Sequence, residues 1–104
     1  REFEYDAFFS EDCSQEDITS ESRPIVDRVM EGYNGTIFAY GVTGSGKTFT
    51  MMGDVEDPEK EGVIPRAAKQ IFQYISERTS DDTIYYVSCA FTEIYSPDGK
   101  REEL

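Results

Sequence analysis

GYNGTIFAYGVTGSGKTFTMMG, residues 32–53, sets a short uncharged run, TIFAY (36–40), directly before glycines 41, 44 and 46, a lysine and a helix-like segment. Gly41, Val42, Thr43, Gly44, Ser45, Gly46, Lys47 and Thr48 satisfy G-x-x-x-x-G-K-[ST] at every fixed position. Each part has a physical task. Glycine tolerates backbone angles that other residues avoid, so successive N–H groups can turn inward and form an anion-sized nest. A helix starting at Gly46 adds unpaired amides and the positive end of its dipole. Lys47 then reaches the outer phosphates of a nucleotide as a point charge, and the Thr48 hydroxyl is placed for Mg²⁺. Phe49, the next residue, is a candidate to lie against a purine ring, although a helix residue facing a core fits it as well.

The motif requires a strand before it and a helix after it, and the flanks match that pattern. TIFAY is β-favouring and bounded by glycine, as expected of a strand buried on both faces. Working outward, REFEYDAFF (1–9) alternates Phe3, Tyr5 and Ala7 against charges and reads as a short strand. Ser14 and Asp17 have the spacing of a capping box, and Ile18, Ile25, Val26, Val29, Met30 and Tyr33 recur at helical intervals. Pro24 either opens this helix or kinks a longer one begun near Glu16. The helix after the phosphate loop is expected to break at Gly53. GDVEDPEKEG (53–62) follows as an acidic loop, read as a solvated surface loop in preference to a lid. Pro65 suits the first turn of a third helix with Ile64, Ala68, Ile71, Phe72 and Ile75 on its apolar face. TIYYVSCAFTEIY (83–95) is the longest strand candidate and, being apolar on both faces, a central one. Strand, helix, strand, helix, strand is an α/β order, so the expectation is a central, mostly parallel sheet flanked by helices in a single domain spanning 1–104.

Composition narrows the function. The chain has 104 residues, 38% hydrophobic and 31% charged, which is a globular balance. Its net charge of −12 repels nucleic acid and anionic membrane, so neither is expected as a partner. No apolar run is long enough to span a bilayer, and the start lacks a signal-peptide pattern, pointing to a soluble intracellular protein. Cys13 and Cys89 read as two free thiols, and without histidine a zinc site is excluded. Hydrolysis needs more than the loop: a second acid at a strand end for Mg²⁺ and a group to orient water. Glu93, in the long strand candidate 83–95, is the acid to weigh for that role, and its surroundings favour a structural one. The residues therefore support binding, and assign no catalytic residue.

The stretch at 32–53, followed by GVIPRA (62–67), Ile71-Phe72 and YVSCAFTEIY (86–95), resembles the first half of a kinesin motor domain, in the same order. YDAFF (5–9) and SRPIVDRVMEGYNG (22–35) agree, so the resemblance runs from about residue 3 to residue 95. It implies a P-loop NTPase fold of the kinesin type, with ATP or ADP and Mg²⁺ at Gly41–Thr48. Lys47 would lie on the β- and γ-phosphates, Thr48 on the metal and Phe49 beside the adenine. It also implies a microtubule motor located on the cytoskeleton in the cytoplasm, with tubulin bound through parts of the family's domain that these residues do not match. Many kinesins carry Gln at the position of Val42, which contributes mainly backbone. The family's serine-rich first switch, its DLAGSE-like second switch and its RxRP-like stretch have no counterpart here. The expectation is thus a fragment that binds nucleotide at best, with an exposed sheet edge and some self-association. Two alternatives stand beside it. Another P-loop NTPase or kinase would be one, although the chain shows no N-K-x-D stretch for guanine, and Arg66 and Arg78 read as helix-surface charges. A non-catalytic nucleotide-binding interaction module is the other.

Overall fold

The capping box at Ser14 sets the first helix. In the computed structural model, which describes residues 1–78, 80 and 82–94, Ser14 Oγ accepts from the Asp17 amide while the Asp17 carboxylate accepts from the Ser14 amide. Helix α1 (Gln15–Ser20) starts there, and α2 (Arg23–Met30) follows with Pro24 in its first turn. The two sequence alternatives resolve into a break: two short helices instead of one kinked one. Helix α3 (Lys47–Met51) carries the glycine motif at its head, a 3₁₀ turn (Pro58–Lys60) lies in the acidic loop, and α4 (Val63–Glu77) is the longest element. Helix α4 packs on α2 and α3, and α1 packs on α3 and the 3₁₀ turn.

The expected central parallel sheet is a correction. Among the described residues no β-strand forms, and pairing is limited to one antiparallel bridge between Gly53 and Glu61. Residues 1–9, 36–40 and 83–94 carry strand-favouring sequence but run without a ladder. The last residue of the 83–95 candidate, Tyr95, lies outside the described residues. A strand exists only as part of a pair, because its N–H and C=O groups need a neighbour and its side chains need a surface. These runs form no ladder, and much of their side-chain surface stays uncovered: Phe38 is 81% exposed, Tyr86 92% and Ile94 97%, with Ile37, Ala39 and Tyr85 only partly buried. The radius of gyration, 16.7 Å, accordingly exceeds the ~13 Å of a compact domain of this length.

The interior is small and unusually polar. Val26 and Val63 are its buried apolar residues, and Gln15, Thr19 and Ser22 are buried beside them. Thr19 Oγ1 donates to Gln15 O at 2.6 Å and Ser22 Oγ to Thr19 O at 2.6 Å, so these hydroxyls are satisfied within their own turn. The apolar face foreseen for α4 is only partly covered, with Ile64 and Phe72 exposed. Cys13 and Cys89 are both free. Among the described residues no helix is long and apolar enough to cross a membrane.

Candidate functional site

The chain enters the glycine motif from 36–40 and turns at Gly41. A Cβ on Gly41 would come within 2.6 Å of Ser45 Oγ, so a larger residue there would make the Ser45 side chain turn away. Gly44 (φ +82°) and Gly46 (φ +100°) adopt the left-handed conformation that glycine supplies without strain. Space is open around both, with no atom within 4 Å of a Cβ built on either. The Ser45 amide closes a turn onto Val42 O at 3.1 Å. Gly46 caps α3, and its carbonyl accepts from the Thr50 amide at 2.9 Å.

Lys47, the first residue of α3, curls back so that its Nζ donates to Gly41 O. The ammonium thereby lies over the loop it belongs to, half-buried, while Thr48 beside it is exposed. Val42, Thr43, Gly44, Ser45 and Gly46 are exposed as well. Phe49 is half exposed and is held through its backbone, its carbonyl accepting from Gln15 Nε2 at 2.6 Å. The residues thus fit a phosphate group: an open, glycine-turned loop, one cation folded onto it, and a hydroxyl residue next to that cation. Among the described residues there is no cluster of three His, Cys, Asp or Glu side chains able to hold a metal.

The acidic loop is more built than its composition indicates. Gly53 (φ +71°) ends α3, and a Cβ there would lie 2.0 Å from Lys60 O and 2.4 Å from Gly62 N. A Cβ on Gly62 would lie 2.6 Å from Met51 O and from Thr50 O. Two glycines therefore form a neck at which the backbone strands nearly touch, joined by Asp54 N→Lys60 O (2.9 Å) and Gly62 N→Met52 O (3.0 Å). Arg66 clamps the return strand, its Nε donating to Glu61 O at 2.8 Å and Nη2 to Glu59 O at 3.1 Å. Lys69 Nζ grips the Glu61 carboxylate at 2.7 and 2.6 Å. Arg66 is consequently more than the helix-surface charge read from sequence. Arg78 stays on the surface, stacked 3.7 Å from the Tyr74 ring. Sequence reasoning also passed over Gln15. Its only signal was position, since the capping box at Ser14 fixes the residue that follows.

A G-x-x-x-x-G-K-[ST] loop leading into a helix headed by its lysine is shared with phosphate-loop NTPases, although the strand that the motif expects before it is not formed among the described residues. The chain matches the family described as Kinesin motor domain over residues 1–98 and belongs to that family. It is 46% identical over 99 residues to kinesin-like protein klp-20 of Caenorhabditis elegans, covering 94% of this chain and 15% of that protein. Against kinesin-like protein KIF3C of Bos taurus it is 44% identical over 112 aligned positions, covering 98% of this chain and 14% of that protein. Kinesin heavy chain of Neurospora crassa matches at 46% over 95 residues, 89% of this chain and 10% of that protein. The chain thus spans about one-seventh of the length of the first of these relatives, as the 15% and 14% coverages state. Membership supports the phosphate-loop NTPase fold for the family, although its sheet is not formed among the described residues.

Proposed function

We propose that this chain is the ATP-binding part of a kinesin-type motor, which couples ATP hydrolysis to movement along microtubules. The observation that carries the reading is the Lys47 ammonium folded onto the Gly41 carbonyl, inside a loop whose Gly44 and Gly46 take positive φ. That contact holds the cation where phosphate oxygens would take the place of the carbonyl. On this reading the backbone of Gly41, Val42, Thr43, Gly44, Ser45 and Gly46 holds the phosphates of ATP or ADP, Lys47 neutralises their charge, and Thr48 takes Mg²⁺. Bound Mg²⁺ would supply charge neutralisation between the phosphates. Phe49, half exposed beside the loop, is the candidate to lie against the adenine. No catalytic base is assigned on this chain.

The single-domain reading of residues 1–104 goes with this, as do a cytoskeletal location and a microtubule partner. The −12 charge of these residues makes them a poor surface for an acidic filament, so contact with tubulin is assigned to other parts of the motor. Calorimetry with Mg-ATP on the wild type and on Lys47→Ala tests the nucleotide reading. Binding that the substitution removes is the expected outcome. Equal binding by both proteins would refute the role given to the loop.

A further inference from the structure

We propose that Gln15 is a positioning residue for the nucleotide site, a proposal that rests on the phosphate-loop reading above. Helix α3 has five residues, and its first two are Lys47 and Thr48. A helix that short has almost no stability of its own. The aim of its head therefore depends on what holds its tail.

The tail ends irregularly. The Met52 and Gly53 amides both turn to Thr48 O, at 2.8 and 3.3 Å, and Gly53 swings into the left-handed region. The Phe49 carbonyl loses the Gly53 amide that a continuing helix would have supplied. Gln15 replaces it from another helix: its Nε2 donates to Phe49 O at 2.6 Å and to Lys60 O at 3.2 Å. One carboxamide nitrogen thus caps α3 and ties it to the return strand of the acidic loop. Gln15 is 5% exposed, so water does not compete for these bonds.

The residue type follows from this geometry. Two carbonyl oxygens converge on one side-chain atom, which must carry two hydrogens; glutamate and methionine offer none. Asparagine would be one methylene short. Gln15 Oε1 is buried with no protein partner among the described residues, so the side chain keeps its donor contacts while leaving its own acceptor unpaired. The Ser14–Asp17 capping box fixes the turn from which Gln15 projects. Because Phe49 directly follows Thr48, any drift of its carbonyl moves the residue assigned to Mg²⁺.

The test uses the full chain with Gln15→Met and Gln15→Glu, and with Val26→Ala, a buried residue of α2, as a variant destabilised in the core. Two quantities are read: hydrogen exchange of the Asp54 and Gly62 amides without nucleotide, and the Mg-ATP dissociation constant. Gln15→Met removes the unpaired acceptor but leaves Phe49 O without its donor, so its melting temperature should fall by an amount comparable to that of Val26→Ala. Its neck amides should nevertheless exchange faster, and its Mg-ATP affinity should fall about fivefold to tenfold, the scale of one lost hydrogen bond. Gln15→Glu, which sets a carboxylate against two carbonyls, should lose more. Val26→Ala should bind as the wild type does. Unchanged affinity in folded Gln15→Met, or an equal loss in Val26→Ala, overturns the proposal. A wild type that binds no Mg-ATP overturns the nucleotide reading itself, and this proposal with it.

Discussion

Replacing Gly53 by alanine sets two costs against each other. If the neck stays closed, the new Cβ must lie 2.0 Å from Lys60 O, 2.4 Å from Gly62 N and 2.7 Å from Glu61 C, all backbone atoms that no rotamer change can move. The left-handed φ of +71° adds about 1–2 kcal/mol for a residue with a side chain, and overlap of this kind adds about 1–3 kcal/mol or more. If the neck opens instead, the overlap vanishes, and Asp54 N→Lys60 O and Gly62 N→Met52 O are lost. Those two bonds are worth about 1 kcal/mol each, or about 2 kcal/mol together. Opening is the cheaper route, so the expected result is a destabilisation of about 2–3 kcal/mol accompanied by a released loop. Gly32→Ala is the control: its φ is +106°, but no atom lies within 4 Å of the added Cβ. It should cost only the conformational term of about 1–2 kcal/mol. Thermal melting gives the stabilities, and limited proteolysis between residues 54 and 61 reports the opening. If Gly53→Ala is cut no faster than Gly32→Ala and melts with it, the neck does not depend on backbone contact at Gly53 and the reasoning fails.

Two further outcomes follow from the same contacts. Arg66→Lys keeps the charge but cannot span Glu61 O and Glu59 O as the guanidinium does. It should cost about 1.5–3 kcal/mol and raise exchange at Glu61 and Gly62, whereas an unaltered exchange pattern would show that the clamp is incidental. Asp17 accepts from the Ser14 hydroxyl and then from its amide, and these bonds hold its carboxyl below the usual aspartate range. A carboxyl depressed in the folded state stabilises fully above its unfolded pKa of about 3.9 and loses that contribution as pH falls through the folded value. Acid melts should therefore show wild type ahead of Asp17→Asn at neutral pH, with the gap closing below about pH 4. A gap that persists unchanged at lower pH would remove the carboxylate from the account.

What could be read from residues alone was local. Ser14 with Asp17, Pro24, the glycines of the phosphate loop and the break at Gly53 each act over three or four positions. A cap, a fixed φ or a positive φ needs no distant partner. The start of α1, the turned loop before Lys47 and the end of α3 accordingly appear where the sequence placed them, while the structure chose between the two readings left open at Pro24 by starting α2 separately. The order of motifs from residue 32 to residue 67 also carried the family.

The tertiary structure decided what depends on non-local pairing. Whether TIFAY and the 83–94 run become strands depends on neighbours for their amides and on a surface for Phe38, Tyr86 and Phe91. β-propensity describes a fit to such a surface and does not create one. The reading of a central sheet therefore failed on residues whose composition was right. The same dependence hid Gln15 and Arg66, polar side chains with nothing unusual beside them in the chain. Gln15 meets Phe49 and Lys60 from 34 and 45 residues away, and Arg66 acts only because Gly53 and Gly62 let the loop close where it can reach. Sequence set each local bend; contact across the fold selected which carbonyls those bends bring within reach of a donor.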